Sequence, residues 1–382
     1  MKLLFFIALI AAANAAALKI HIFEIGNADS QIIVFPSGYS ILIDAGDTSG
    51  SNGEAGKNGK YIAKRLNSIL GKKKIDIAVL SHYHVDHMGG YKKGGFWYLL
   101  EKAGFSFGKF LKRNAGTYKG SSLSNCKKSA ITWKYVGPMS EKTAKFVCYA
   151  TATVATTKLS KIAENAHRCN KEQIVPPDDG AKVRVIIRDA LGVTDAAGNK
   201  LSKNSMSATL PVAENDFSIC MRIQYGDFVY ATCGDLSGYE YSKSDGSFAY
   251  HDIETSVAPM MGAVDVLNVN HHGSKSATKT KWCSTLKPTV SVISCGDKSS
   301  LPHSGPLTRL KDIGSKVYIT NNCNPTTVAK YNNIVKFNGD IVITVSSDGK
   351  TYKVAKKDGS KATTYKTKTN KKAATKCTLL EK

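Results

Sequence analysis

The stretch AVLSHYHVDHMGG, residues 78–90, places three histidines and an aspartate within six positions, directly after an apolar run. The whole chain has only 9 histidines, so this clustering needs a cause. A metal centre, a buried hydrogen-bonded cluster and chance are the three on offer. The second requires four polar side chains to be buried together without an ion, which is costly. Imidazole and carboxylate are ligands of zinc and similar ions, and catalytic sites leave one position open for water. His82 and His84, two residues apart, can chelate one ion from an extended segment or tight loop. Asp86 and His87 lie past the turn and can address a second ion close by. Met88-Gly89-Gly90 then lets the backbone turn sharply.

Outward from this stretch the chain reads as an α/β layered domain. LKIHIFEIG (18–26) alternates, and QIIVFPSG (31–38) and YSILIDAGD (39–47) follow with Gly and Pro punctuation, the mark of strands. NGKYIAKRLNSILGKKK (58–74) has helical spacing at Ile62, Leu66, Ile69 and Leu70, with Gly71 as its stop. IDIAVL (75–80) is a continuous apolar strand, and the histidines begin where it ends. Strand, strand, helix, strand and loop in that order imply stacked layers. Residues 91–210 are rich in Lys, Gly, Ser and Thr with scattered aromatics, and read as an insertion. Within it, TTKLSKIAENAHRCNK (156–171) is expected to be helical and AKVRVIIRDA (181–190) a strand. From Asp216 short strands return, at 217–235, 263–270, 288–296, 315–320 and 341–347. The Lys- and Thr-rich tail, residues 356–382, is expected to be disordered or weakly ordered. No internal repeat is visible.

The chain is 382 residues long and 42% hydrophobic, enough for a sizeable core. Its formal net charge of +23 suggests attraction to polyanions such as nucleic acid, anionic lipid or acidic glycan, against the plainer reading of a solvated basic surface. MKLLFFIALIAAANAAALKI at the N-terminus has Lys2 before an apolar core, Leu3 to Ala13, and small-x-small sites at Ala13-Asn14-Ala15 and Ala15-Ala16-Ala17. Residues 1–17 therefore read as a secretory signal peptide. A membrane anchor would need roughly 20 apolar residues, and no later stretch is apolar enough to span. The mature protein is expected to be soluble and extracellular, where disulfides persist. Nine cysteines occur without a CxxC, which argues against a cysteine zinc site. FSICMRIQYGDFVYATCGD (217–235) reads as a hairpin turning at Gly226-Asp227. With Tyr225 opposite Phe228, Cys220 faces Cys233 in a close, non-hydrogen-bonded pair. A cross-strand disulfide and two buried thiols both fit. The odd count leaves at least one cysteine unpaired or intermolecular.

Two further residues follow apolar strands and precede Gly or Ser turns, as His82 does: Asp235 in YATCGDLSG and His271 in VDVLNVNHHGS. The HxHxDH motif, the later Gly-Asp and the later His resemble the metallo-β-lactamase superfamily. HIFEIGNADSQIIVFPSGYSILIDAGD, LSHYHVDHMGG, YGDFVYATCGDL, DVLNVNHHGSKSATKTKW and PTVSVISCGDKSSLPH, in that order, resemble the extracellular domain of ComEC-type competence proteins. The likeness runs from Leu18 to about residue 355, with residues 91–210 matching poorly. It implies an α/β fold, a four-layer αββα sandwich with the metal site at one edge of two sheets. It also implies two divalent ions, Zn²⁺ with Mn²⁺ as the alternative. His82, His84 and Asp235 would hold one; Asp86, His87, Asp235 and His271 would hold the other. Many superfamily members carry a further His before the Gly-Asp. Here only His167 lies between His87 and Asp235, in a segment read as helical, and Asp216 is a weak substitute. The ComEC-type group lacks that ligand too, which leaves the first ion with fewer protein ligands and moves the reading away from β-lactam hydrolysis.

The implied chemistry is in-line attack by a hydroxide shared between the ions. Asp86 would bind metal and orient the nucleophile, while His272 or His303 would assist the leaving oxygen. Asp44, ending YSILID, would support the ligand loop from behind, or simply cap a turn. The leading functional reading is a secreted phosphodiesterase or nuclease acting on extracellular nucleic acid. Alternatives are a hydrolase of small or lipid-derived phosphoesters (phosphorylcholine-like) or of lactones, and a non-catalytic polyanion binder.

Overall fold

The computed structural model describes residues 17–48, 56–134, 139–193, 201, 212–242, 244 and 246–369. The expected leader lies outside them apart from Ala17, as do residues 370–382. The strands are β1 (Leu18–Ile22), β2 (Gln31–Val34), β3 (Ser40–Ile43), β4 (Lys74–Val79), β5 (Ser106–Lys112), β6 (Thr117–Tyr118), β7 (Ile131–Thr132), β8 (Ala163–Asn165), β9 (Ala181–Ile187) and β10 (Cys220–Tyr225). They continue with β11 (Phe228–Thr232), β12 (Tyr241–Ser242), β13 (Ala249–Tyr250), β14 (Val266–Asn268), β15 (Val290–Ile293), β16 (Lys316–Ile319), β17 (Ile334–Lys336), β18 (Ile341–Val345), β19 (Thr351–Lys356) and β20 (Thr363–Lys366). The helices are α1 (Lys57–Leu70), α2 (Val85–Met88), α3 (Gly95–Glu101), α4 (Glu141–Thr151), α5 (Ile253–Met261), α6 (Thr280–Leu286), α7 (Ser304–Asp312) and α8 (Pro325–Val328).

Two large sheets organise these elements. One runs β20-β19-β18-β1-β2-β3-β4-β5-β8 and the other β17-β16-β15-β14-β11-β10-β9. Period-two alternation assigns each strand's faces. Leu18, Ile20, Ile22, Ile41 and Ile43 from the first sheet meet Phe228, Tyr230, Val290 and Val292 from the second in one buried cluster between the sheets. The intervening residues point outward. Ile32, Leu42 and Ala78 pack with Ile62 and Leu66 of α1, Phe96 and Leu99 of α3, and Phe146 and Val147 of α4. On the other flank, Val229, Ala231 and Leu267 pack with Val257 and Met261 of α5, Trp282 of α6 and Leu310 of α7. Four layers result, helix–sheet–sheet–helix, as expected for a metallo-β-lactamase fold. Gly71 ends α1 as read, in the left-handed region at φ 62°, with its N–H on the Asn67 carbonyl.

Three expectations from the sequence are corrected. The insertion, taken as residues 91–210, contains strands of both main sheets: β5 pairs in parallel with β4, and β9 pairs with β10. The helix expected over 156–171 is replaced by turns and β8. Thr157 and Ser160 bond each other's backbone N–H at 2.9 Å, a local alternative to helix, and Ala163–Asn165 then pair in parallel with Phe110–Lys112. The tail does not begin at residue 356. Lys356 closes β19, and β20 adds one more strand at the sheet edge. Tyr365 anchors that strand by stacking on Tyr352 at 5.3 Å and sharing a 2.7 Å hydroxyl contact with Tyr318.

The hairpin β10–β11 has the anticipated register, Tyr225 opposite Phe228, and Cys220 is joined to Cys233. Cys126–Cys148 and Cys295–Cys323 are also paired, and Cys283 is a free, buried thiol. No helix among the described residues is long and apolar enough to cross a membrane.

Candidate metal centre

Parallel pairing brings the functional residues to one edge. β3 and β4 run parallel, so Asp44 and the loop from Ser81 leave the first sheet together. β11, β14 and β15 run parallel in the second sheet, so Asp235, the His271–His272 turn and Ser294 leave from the same side. The two edges are tied by the Ile219 N–H on the Ser81 carbonyl at 3.0 Å. The loop after β3 clasps α2 through backbone bonds, Ala45 N–H to His87 O at 2.7 Å and Asp47 N–H to Val85 O at 3.1 Å. Asp29 N–H adds a third, to Asp86 O at 2.9 Å. Gly46 makes this approach feasible: a Cβ there would stand 1.7 Å from the Asp86 carbonyl oxygen.

His87 and His272 each have one nitrogen fixed and the other pointing inward without a hydrogen-bond partner. Asp44 accepts the Ser81 N–H and hydroxyl at 2.7 Å each and contacts His87 Nδ1 at 2.8 Å, which leaves His87 Nε2 for the centre. His82 Nδ1 lies 3.1 Å from Ser81 Oγ, and its Nε2 lies 3.0 Å from His84 Nδ1. His272 Nδ1 sits 3.0 Å from the Ser294 carbonyl, so it is the donor, and Nε2 is free. His271 and His272 are consecutive non-glycine residues in the left-handed region, φ 51° and 50°. That strained turn sends their rings to opposite sides of Asp235. His271 Nε2 is 3.6 Å from Asp235 Oδ2, the oxygen that also faces His82 Nε2 at 3.8 Å. His272 Nε2 is 3.8 Å from Oδ1, the oxygen that faces His87 Nε2 at 3.1 Å. Asp86 Oδ2 approaches His272 Nε2 at 3.6 Å and His87 Nε2 at 3.9 Å.

Two ligand groups with converging atoms therefore share Asp235: His82, His84 and Asp235, and Asp29, His87, Asp235 and His272. A cation fits the second group on a direct observation. His87 Nε2, His272 Nε2 and Asp235 Oδ1 are all buried and lack a hydrogen-bond partner of acceptable geometry. Such orphaned atoms are rare unless something binds them. The electrostatics agree. Burial opposes charge on His87, but Asp235, Asp44 and Asp86 outweigh it and hold its pKa well above 6.5. Burial and the neighbouring His87 and His84 push His82 well below 6.5, into the neutral form that ligates. Against burial, His87 and His272 bring the Asp86 carboxyl down to about 2. The site thus stabilises positive charge among carboxylates, and a divalent ion entering it would displace a proton.

The comparisons with known proteins match the part of the chain that carries the ligand loop. The metallo-beta-lactamase superfamily profile matches residues 26–93. Over those residues, which include the His82–His87 loop, the chain is similar to that superfamily. A comparison with curated proteins gives no match. Among solved structures, a protein from Parabacteroides distasonis, provisionally described as a metal-dependent hydrolase, is 10% identical over 79% of this chain and 93% of its own, with a TM-score of 0.39. Unliganded yeast PDE1 is 11% identical over 79% of this chain and 87% of its own, with a TM-score of 0.31. At these scores neither bears on the substrate.

The structure gathers His82, His84, Asp86, His87, Asp235, His271 and His272 around one centre. It separates the adjacent histidines differently from the sequence expectation: His272 stands with His87, and His271 stands on the His82 side. His303 joins neither group; its Nδ1 accepts the Lys275 N–H at 3.1 Å in a half-exposed position. Asp216 is bound instead to His251, Oδ2 to Nδ1 at 2.8 Å. His167 is exposed, its N–H bonded to Gln173 Oε1. Asp29 and Glu214 escaped the sequence reading. Glu214 accepts the N–H of Tyr83, between His82 and His84, at 2.9 Å, and its carboxylate is gripped by buried Arg113. A lone acid in a loop, as Asp29, or in a single 3-10 turn, as Glu214, carries no spacing signal; only its partner across the fold reveals it.

Proposed function

We propose that the protein is a metal-dependent hydrolase of phosphodiesters, secreted and acting on extracellular nucleic acid. The observation that carries the metal dependence is the shared Asp235, one oxygen toward each histidine group, with unpartnered buried nitrogens converging on it. In this reading His82, His84, Asp235 and His271 hold one ion, and His87, Asp235, His272 and Asp86 hold the other. His271 takes the place of the histidine that is missing before the Gly-Asp. Bound divalent ions would acidify a water and polarise a phosphoryl oxygen. The protein's own side chains do the positioning. Asp86, ionised and 27% exposed at its side chain, faces the cleft from the ligand loop and aligns the nucleophile by hydrogen bonding. Asp44 fixes the tautomer of His87, and Ser294 fixes that of His272. Glu214 holds the backbone between His82 and His84 in place. The net charge of +23 and the lysine-rich walls beside Asp86 favour a phosphodiester over a lactone. The ComEC-type likeness supports nucleic acid as the phosphodiester.

The test is incubation of purified protein with single- and double-stranded DNA, RNA, bis-p-nitrophenyl phosphate and a lactone, with Zn²⁺, Mn²⁺ or chelator. Phosphodiester cleavage that needs metal and vanishes in Asp86→Ala is expected. Lactone cleavage alone would replace this reading with another member of the same fold.

A further inference from the structure

Beside the metal centre lies a cleft of about 1050 Å³, with His84 and Asp86 in its floor. Its size is at the upper end of the roughly 300–1,000 Å³ typical of small-ligand sites. One bank is the loop after α2, carrying Lys92 and Lys93; the other is α4, carrying Lys142 and Lys145 one turn apart. All four lysines are exposed, and none has a carboxylate within ion-pair distance among the described residues. The acids in the lining are Asp47 and Asp86. Asp47 is occupied, with its carboxylate accepting the Gly59 N–H at 2.8 Å. Asp86 belongs to the metal centre. The far wall is held firm, because Cys126, next to the Leu123–Asn125 turn, is joined to Cys148 of α4. Apolar surface lies among the charges: Val85 is 40% exposed on the ligand loop, and Tyr91 borders the cleft.

A charge count gives this arrangement its meaning. A phosphodiester at the metal centre carries one negative charge, which two divalent ions, set against Asp86, Asp235 and a hydroxide, about balance. Four unneutralised ammonium groups next to that centre have nothing to bind on a single phosphodiester. They match further phosphates on the same substrate. Lysines tracking a backbone, with exposed Val85 and half-buried Tyr91 between them, match the composition of a single-strand groove.

We propose that this cleft is a strand-binding subsite, in which Lys92, Lys93, Lys142 and Lys145 hold the phosphates flanking the one at the metal centre. Its substrate is a single-stranded nucleic acid that spans both banks, with a base against Tyr91 and Val85. This rests on the phosphodiesterase reading and narrows its substrate to a chain.

The experiment compares Lys92→Ala/Lys93→Ala and Lys142→Ala/Lys145→Ala with the wild type, metal-loaded. Two substrates are used, a short single-stranded DNA and bis-p-nitrophenyl phosphate, across a salt series. Binding of the same labelled DNA is followed in parallel by fluorescence anisotropy. For DNA, each pair should lower kcat/KM at least about tenfold, mainly through KM. The log–log salt slope should become shallower by about 1.4, the share of two phosphate contacts on a single strand. The fall for bis-p-nitrophenyl phosphate should be much smaller. Equal falls on both substrates, or an unchanged salt slope and anisotropy, would overturn the subsite. Stronger competition by phosphatidylglycerol vesicles than by unlabelled DNA would also overturn it, in favour of lipid headgroups. If wild type cleaves neither substrate yet binds DNA through these lysines, the phosphodiesterase reading fails while the strand subsite stands.

Discussion

Two adjacent histidines, His271 and His272, face opposite oxygens of one aspartate. Their placement comes from two successive left-handed backbone conformations. Non-glycine residues pay conformational strain for that geometry, of order 1–3 kcal/mol each, so the surroundings must enforce it. The enforcement is visible in the His271 N–H on the Gly234 carbonyl at 3.0 Å and the Ser274 N–H on the His271 carbonyl at 2.8 Å. The proposed ligand sets make a sharp prediction. His271→Ala and His272→Ala should each bind about one fewer ion per chain than wild type, by elemental analysis after dialysis. Full metal content in His271→Ala would return that residue to a supporting role. Asp44→Asn keeps the shape but loses the charge behind His87. Metal affinity should fall about 10–100-fold, as for other carboxylates behind ligand histidines, in a chelator competition. An unchanged affinity would make Asp44 only a turn cap.

At the scale of elements, β1 carries a cost that pH can expose. His21 is buried between its sheet neighbours, with neither ring nitrogen hydrogen-bonded. Burial, then Arg65 and Lys19, lowers its pKa from 6.5 to about 4. Below pH 6.5 the unfolded chain takes up a proton that the folded chain refuses until about pH 4. Stability from this group therefore falls as pH drops through that window, by about 3 kcal/mol in total. His21→Leu should flatten the pH dependence of urea denaturation there by about one proton, and an unaltered slope would show that His21 titrates normally in the fold. The elements themselves were legible wherever periodicity was strong. β1–β4, α1, the β10–β11 hairpin and β14–β16 follow alternating or helical apolar patterns. Between β5 and β9 the chain instead uses two- and three-residue strands, side-chain-to-backbone turns, a disulfide and α4, whose residues Phe146 to Thr151 are all buried, so that little amphipathic period is left to read. The same division holds in the site. His82, His84, Asp86, His87 and Asp235 follow strands and could be found by position. Asp29 comes from a loop and Glu214 from a single 3-10 turn, and placing His271 and His272 on different oxygens of Asp235 required the structure.

The whole molecule joins a basic surface to an acid-rich centre. Its sheet edge extends further than composition suggested, because β20 is held by Tyr365 against Tyr352 and Tyr318. A chain ending at residue 355 should be less stable than one ending at residue 369 by at least about 1 kcal/mol, the worth of one aromatic pair. Identical melting curves would mean that β20 contributes nothing. Residues 370–382 contain Lys371, Lys372, Lys376 and Lys382 against Glu381. Truncation at 369 thus separates the charge of that segment from the strand before it, which removal from residue 356 cannot do. The central claim is that one chain assembles two ion sites around Asp235 for phosphodiester hydrolysis. Its most direct test is a metal titration of chelator-stripped protein, reading bis-p-nitrophenyl phosphate cleavage at each step. Activity should rise to a plateau at about two equivalents of Zn²⁺ or Mn²⁺, and Asp235→Ala should show none at any metal level; cleavage indifferent to metal, or absent throughout, would contradict the account.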